Sequence, residues 1–157
     1  MKLYIKQKVF SWGDKFTIKD EYGNDRFYVN GEVFSFGKKL HVTDIYGNEI
    51  IFIKQQIFTF LQKYEIIING NYVARIVREF TFLKPKYTIE GTNWTIDGDY
   101  FAHDYQIIGG NRTIAYISKQ WFSWGDSYEI NIADPRDEIL AVACVLAIDA
   151  AMSNDRN

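Results

Sequence analysis

Apolar and polar residues alternate in short segments along most of this chain, with the period of two that is typical of β-strands. A short aromatic phrase recurs between these segments. Its copies are Phe10-Ser11-Trp12-Gly13, Phe34-Ser35-Phe36-Gly37, Phe58-Thr59-Phe60-Leu61, Phe80-Thr81-Phe82-Leu83 and Phe122-Ser123-Trp124-Gly125. Because strand-like residues precede and follow each copy, each phrase is expected to form the corner between two strands, and each unit is expected to be a hairpin.

Turn signals separate these units. They combine Gly with Asn, two residues that tolerate the positive φ of tight turns: Tyr22-Gly23-Asn24, Tyr46-Gly47-Asn48, Asn69-Gly70-Asn71 and Gly109-Gly110-Asn111. The longest gap between copies, from Phe80 to Phe122, contains a further and less regular hairpin whose turn is expected near Gly98. The hairpins together predict about twelve strands, and closing the sheet into a barrel removes its exposed edges.

The C-terminal segment changes to a helical pattern. Asp134 is a suitable N-cap, Pro135 suits the first helical position, and consecutive apolar residues run from Ile139 to Ile148. A helix that is apolar on all sides is either buried or in a membrane. The fourteen residues from Ile139 to Met152 span roughly 21 Å, which is too short to cross a bilayer, and Asp149 interrupts them. The helix is therefore predicted inside the barrel, where a sheet of more than eight strands leaves room.

The predicted fold is mainly β, a closed twelve-stranded antiparallel β-barrel around a central apolar C-terminal α-helix. One domain is expected over residues 1–152, with the helix at about 136–152 and a flexible tail at 153–157. The 18 Lys and Arg residues oppose 20 Asp and Glu residues without a basic block, which argues against nucleic-acid binding. A single cysteine, Cys144, and a charged N-terminal segment favour a cytoplasmic location, with no secretory signal and no transmembrane segment.

The order of these features resembles the tubby C-terminal-like superfamily, and within it the LURP-one-related group that includes small bacterial proteins. The resemblance covers nearly the whole chain. It depends on the terminal apolar helix and on Phe10-Ser11-Trp12-Gly13-Asp14, Trp94-Thr95-Ile96-Asp97-Gly98-Asp99-Tyr100 and Trp121-Phe122-Ser123-Trp124-Gly125-Asp126-Ser127-Tyr128. It implies a twelve-stranded barrel with a central helix. Tubby proteins bind phosphoinositides, but this sequence has no compact Lys/Arg cluster that matches their lipid site, and the resemblance implies no shared enzymatic chemistry.

Two polar groupings and one cysteine are candidates for chemistry. Asp97, Asp99, His103 and Asp104 could hold a divalent metal, but Asp and Gly recur in hairpin turns for backbone reasons and the spacing matches no EF-hand, so a turn is favoured and no metal site is predicted. Asp14 and Asp126 follow Trp-Gly in equivalent repeats and could act as an acid/base pair, but recurrence at two corners favours turn caps. The one nucleophile considered, Cys144, is expected to be buried. No catalytic residue and no cofactor are predicted.

Basic residues provide the remaining candidate site. Lys38, Lys39, Lys84 and Lys86 are predicted to contact anionic lipid headgroups if the barrel loops bring them together, and Arg75 and Arg78 are further basic residues that could belong to the same surface. The aromatic residues of the corners, Trp12, Phe36, Phe60, Phe82 and Trp124, are expected in the barrel core. Their exposure along one rim would instead indicate an interface with a membrane.

The sequence thus predicts a non-enzymatic binding module that recognises an anionic phospholipid membrane or a protein partner, located in the cytoplasm or peripherally at a membrane. The alternative is a small-ligand binder or an enzyme with a site at a barrel mouth, where loops from rigid strands converge.

Overall fold

The computed structural model describes residues 1–6, 15–32, 36–120 and 127–155. They form twelve strands followed by one helix. The strands are β1 (Lys2–Lys6), β2 (Lys15–Asp20), β3 (Asp25–Gly31), β4 (Lys39–Asp44), β5 (Glu49–Gln55), β6 (Lys63–Ile68), β7 (Asn71–Glu79), β8 (Lys86–Glu90), β9 (Trp94–Asp99), β10 (Asp104–Gly109), β11 (Arg112–Gln120) and β12 (Ser127–Ile132). The helix α1 (Glu138–Asp155) follows a single 3-10 turn, Pro135–Asp137. The predicted mainly-β fold is confirmed.

The strands form one antiparallel sheet in the order β8-β7-β6-β5-β4-β3-β2-β1-β12-β11-β10-β9, and the sheet curves into a nearly closed barrel. No backbone ladder joins the edge strands β8 and β9 in the described part of the chain. Side chains bridge this seam, where the Tyr100 hydroxyl donates to the carbonyl oxygen of Pro85 at 2.6 Å and the Tyr87 and Tyr100 rings meet edge to face. Because proline has no N–H to donate, the chain entering β8 cannot start a ladder at Pro85.

Alternate residues of each strand point into the barrel and provide its wall. Leu3, Ile18, Val42, Ile66 and Ile107 are representative, and each is fully buried. Between β2 and β3, the Asp20 carboxylate accepts hydrogen bonds from the backbone N–H groups of Tyr22 and Asn24. Asp44 organises the turn between β4 and β5 in the same way. The repeated turn signals of the sequence therefore form equivalent structures.

The sixth hairpin turns later than the sequence predicts. Gly98 lies within β9, and the turn is formed by residues 100–103. Gly98 has a φ of +122°, and a Cβ there would lie 2.6 Å from the Asp104 carbonyl oxygen, so glycine is required for close approach of β10 rather than for the turn.

Helix α1 fills the barrel. Asp134 is the N-cap of the preceding turn, and its side chain accepts the Arg136 backbone N–H, as its position before Pro135 predicts. Every residue from Ala141 to Met152 is buried, and the helix packs against β5, β6, β7 and β12. It continues to Asp155, so it includes the first three residues of the segment predicted as a tail.

Strand connections alternate between the two ends of the barrel. The corners that contain Phe36, Phe58 and Phe80 connect β3 to β4, β5 to β6 and β7 to β8, so they belong to one end, which we call the corner end. The copies of the aromatic phrase at 10–13 and 122–125 lie outside the described residues. The Gly/Asn turns belong to the opposite end, the turn end. Helix α1 begins at the turn end and finishes at the corner end, where the Lys38 ammonium donates to the Ser153 hydroxyl at 2.9 Å.

The reactivity of the Cys144 thiol tests whether the barrel encloses the helix. Burial raises the pKa of Cys144 to about 12, and only the thiolate reacts with disulfide reagents. At pH 8 the native protein is expected to react slower than the urea-unfolded chain by a factor on the order of 1,000, in a colorimetric thiol assay. Rapid reaction of the native protein would show that the helix is accessible.

Candidate functional site

The corner end exposes a group of large apolar side chains on the β3–β4, β5–β6 and β7–β8 corners, which we call the aromatic rim. Its members are Phe36, Ile57, Phe58, Phe60, Phe80, Phe82 and Leu83. Phe60 and Phe82 are 92% exposed, and Phe58 is 97% exposed. Tyr22, Ile45, Tyr46 and Tyr72 are exposed at the turn end, and exposed apolar residues are common on protein surfaces. The corner end differs in that its seven exposed side chains among the described residues include five phenylalanines and no tyrosine, and an apolar patch of this kind is typical of a surface that meets a membrane or another molecule.

The prediction that the corner aromatics lie in the barrel core is wrong for Phe36, Phe60 and Phe82. The physical reason is that this end of the interior is already full. The tyrosines Tyr64, Tyr87, Tyr105 and Tyr128 point inward next to the corners and are at most 2% exposed. Helix α1 occupies the remaining space. The corner residues Trp12 and Trp124 lie outside the described residues.

Phe58 also has an unusual backbone. Its φ of +61° is in the left-handed region, which is unfavourable for a bulky residue. Such strain concentrates at functional sites, because elsewhere selection tolerates it poorly. Here it holds a phenyl ring almost completely in water at the tip of the β5–β6 corner.

Basic residues surround the aromatic rim. The described strand ends and corners at this end contain Lys6, Lys15, Lys38, Lys39, Lys54, Lys63, Arg78, Lys84, Lys86 and Lys119. Fewer acidic residues accompany them: Glu32, Glu65, Glu79, Asp99 and Asp104. The side chains of Lys84 and Lys86 form no ion pair within the part of the chain that the structure describes. The corner end therefore presents apolar rings among positive charges.

The turn end has the opposite balance. Its acidic residues are Asp20, Glu21, Asp25, Asp44, Glu49, Glu90, Asp134, Asp137 and Glu138, and its basic residues are Lys2, Lys19, Arg26, Arg112 and Arg136. Several of the basic residues are held in ion pairs, as in the bidentate contact of Arg26 with Glu138 at 2.7 and 2.8 Å. The barrel is thus polarised along its axis although its net charge is only -2.

The four lysines predicted as headgroup contacts all lie at the corner end but in two groups. Lys38 and Lys39 lie at the start of β4, whereas Lys84 and Lys86 flank Pro85 before β8. Four inter-strand steps separate β4 from β8, or roughly 19 Å along the sheet. The four lysines therefore border one rim without forming one compact pocket. Arg78 is near this end, and Arg75 pairs with Glu90 further along β7.

The candidate metal ligands do not converge. Asp97 and Asp104 point outward and accept hydrogen bonds from Gln106 and from the Tyr116 hydroxyl, and Asp99 caps the turn through the Ala102 backbone N–H. His103 points into the barrel and is buried. Throughout the described ranges, no group of three or more His, Cys, Asp and Glu side chains has the geometry to bind a metal. The paired carboxylates Asp14 and Asp126 lie outside those ranges.

A buried polar cluster lies beneath the aromatic rim, and the sequence analysis missed it. Asp149 of α1 accepts a short hydrogen bond from the Tyr128 hydroxyl and lies 3.3 Å from the His103 ring nitrogen. The rings of His103 and Tyr128 stack with centroids 4.4 Å apart. Burial and the nearby Asp149 raise the pKa of Tyr128 well above its ordinary value. The cluster fixes the last turns of α1 to β12 and to the β9–β10 turn.

His41, a partly exposed histidine on the outer wall, makes the stability of the protein depend on pH. Partial burial alone would lower the pKa of His41, but hydrogen bonds to Glu32 and Glu49 outweigh it and raise the pKa. The resulting stabilisation is complete below the unfolded-state pKa, about 6.5, and disappears as pH rises through the folded-state value. His41→Gln is therefore expected to lower the free energy of unfolding by roughly 0.5 kcal/mol more at pH 5.5 than at pH 8.5. Urea denaturation of the variant and the parent protein at both pH values measures this difference. Equal losses at both pH values would contradict this assignment.

In the part of the chain that the structure describes, α1 is too short and insufficiently apolar to cross a membrane.

The model of the LURP-one-related family matches residues 1–149. The uncharacterised protein YxjI of Bacillus subtilis (strain 168) is 38% identical over 157 residues, covering all of this chain and 97% of that protein. The X-ray structure of a protein from Arabidopsis thaliana superposes with a TM-score of 0.66 over 94% of this chain and 89% of its own, at 15% identity. That likeness concerns the fold alone.

Proposed function

Because the chain belongs to the LURP-one-related family, in which its bacterial relative has no assigned activity, we propose from the geometry that it is a non-enzymatic module that binds anionic phospholipid membranes through its corner end. The single observation that carries the proposal is the aromatic rim among lysines. Apolar rings inserted at the level of the headgroups and lysines in contact with anionic lipids are how peripheral proteins bind a bilayer.

The two components supply different parts of the affinity. Each lysine held near an anionic surface contributes about 1 kcal/mol. Each phenyl ring contributes according to the apolar area that leaves water, and rings at the corner tips enter first. The proposed binding therefore combines electrostatic attraction with partial burial of the exposed rings.

The polarised charge sets the orientation of the bound protein. The corner end approaches an anionic surface, while the acidic turn end is repelled from it. Met1 and the start of α1 belong to the turn end, where the Met1 ammonium donates to the carbonyl oxygen of Ile132. The proposed complex therefore has the end of α1 next to the bilayer and the N-terminus away from it.

Co-sedimentation with liposomes tests the proposal. The protein is mixed with phosphatidylcholine vesicles and with vesicles containing phosphatidylglycerol, at 20 mM and 150 mM salt. Binding to anionic vesicles alone, weakened at the higher salt by screening, is expected. Absence of binding to both kinds of vesicle at both salt concentrations would refute the proposal and leave a protein partner as the occupant of the rim.

A further inference from the structure

A row of charged side chains runs around the outer face of the barrel, from Glu32 near the aromatic rim to Glu90 at the turn end of β8. Adjacent members face each other on neighbouring strands. In order from β3 to β8, the row consists of Glu32, Lys39, Lys54, Glu65, Arg75 and Glu90. Cross-strand neighbours on one face have Cβ atoms about 5 Å apart, so each member interacts directly with the next.

The signs in this row alternate at every step but one. Lys39 and Lys54 are direct partners in the β4–β5 ladder, and both carry positive charge. Like charges directly opposite each other destabilise a sheet. Each of the two lysines has a carboxylate only on its far side, at 3.8 Å for Lys39 and Glu32 and at 3.4 Å for Lys54 and Glu65. A negative charge is missing between them.

An open groove lies at this position. It has a volume of about 440 Å³ and is lined by both lysines, with Phe36 and Ile57 of the aromatic rim at its edge. That volume is within the range of small-molecule sites. Glu65 also lines the groove, but the Gln56 amide donates to its carboxylate at 2.7 Å and Lys54 approaches it from the other strand. The Glu65 carboxylate is thus engaged by Gln56 and Lys54, and among the described residues no carboxylate lies between the two lysines that line the groove.

We propose that this groove binds the phosphate of a phosphomonoester between Lys39 and Lys54. A phosphomonoester carries a charge of about -1.5 to -2 and three acceptor oxygens, so one group can contact both ammonium groups. It supplies the missing negative charge and restores the alternation of the row. The lipid source of such a group is phosphatidic acid, and this arm rests on the membrane-binding function proposed above. The soluble source is a small phosphate ester such as glycerol 3-phosphate.

The lipid arm compares two kinds of vesicle with equal surface potential, one containing phosphatidic acid and one containing phosphatidylglycerol, whose phosphate is a diester. We expect the protein to bind the phosphatidic acid vesicles about tenfold more tightly. The variant Lys39→Gln/Lys54→Gln is expected to lose this preference. The control variant Lys84→Gln/Lys86→Gln removes the same charge from the rim and is expected to weaken binding to both vesicles by the same factor while keeping the preference.

The soluble arm titrates the protein with glycerol 3-phosphate and follows amide resonances by NMR. Saturable shifts centred on Lys39 and Lys54 are expected, and they should be absent from Lys39→Gln/Lys54→Gln. That variant relieves the repulsion between the two lysines but also removes their ion pairs with Glu32 and Glu65, and these effects are of similar size. Its melting temperature should therefore stay close to that of the parent protein, so loss of binding would not reflect unfolding.

The lipid and soluble experiments together distinguish failure of the groove proposal from failure of the membrane-binding proposal. Shifts with glycerol 3-phosphate in a protein that binds no vesicle would support the groove and refute the membrane function. Equal binding to both anionic vesicles with no such shifts would refute the groove and support the membrane function. A preference for phosphatidic acid that persists in Lys39→Gln/Lys54→Gln would also refute the groove.

Discussion

Replacing Phe58, Phe60 and Phe82 together by serine is expected to weaken binding to anionic vesicles roughly 100-fold. Each of these residues is more than nine-tenths exposed in the free protein. Burial of its ring at the bilayer interface therefore contributes free energy to binding that the unbound protein does not already have. A contribution of about 1 kcal/mol per ring, below the value for complete burial, gives about 3 kcal/mol in total. Titration of vesicles against a fluorescent derivative of the protein measures the change.

The matched control is Tyr22→Ser/Tyr46→Ser. These tyrosines are 81% and 84% exposed, but they lie in the Gly/Asn turns at the opposite end of the barrel. Their replacement is expected to leave vesicle binding unchanged. The free energy of unfolding of both variants should lie within about 0.5 kcal/mol of the value for the parent protein, because the changed side chains make few contacts in the folded state. An equal loss of binding in both variants would show that the membrane surface is not confined to the corner end.

Leu146→Ala is expected to lower the free energy of unfolding by about 3 kcal/mol. Leu146 is fully buried on α1 within the barrel, where the surrounding strands cannot collapse into the cavity that the change creates. Urea denaturation followed by far-UV circular dichroism measures the loss.

Leu83→Ala provides the comparison for the same chemical change at an exposed position. Leu83 is 97% exposed on the aromatic rim, so its replacement is expected to change stability by less than about 0.5 kcal/mol and to weaken vesicle binding. Leu146→Ala should lower stability but leave vesicle binding unchanged, since the rim stays intact as long as the protein is folded. A small stability change in Leu146→Ala would contradict a helix packed inside the barrel.

The fold could be predicted because its determinants are local and repeated. Period-two segments define the strands, and the Gly/Asn turns separate them. Asp134 and Pro135 mark the beginning of the helical segment, and its lack of a polar side implies burial. The seam between β8 and β9 could not be predicted, because it depends on how Tyr100 contacts Pro85 across the sheet edges.

The candidate site was less accessible to sequence reasoning for two physical reasons. Alternation tells which strand residues point inward, Tyr64 of β6 among them, but the corners lie beyond the strands, so alternation could not show that Phe60 is exposed. Pairing across strands is also invisible in one sequence. Lys39 and Lys54 are far apart along the chain and become neighbours only through the β4–β5 register. In the same way, His103 was grouped with the nearby aspartates but contacts Asp149 of the distant helix.

Depth-dependent quenching tests the membrane-bound orientation most directly. The protein carries one further cysteine, either Leu83→Cys on the aromatic rim or Asn111→Cys in a turn at the opposite end, and this position can be labelled selectively because Cys144 is buried. An environment-sensitive fluorophore at each position is then mixed with anionic vesicles of brominated lipid. The account predicts strong quenching at position 83 and none at position 111. Equal quenching at both positions, or quenching at position 111 alone, would contradict it.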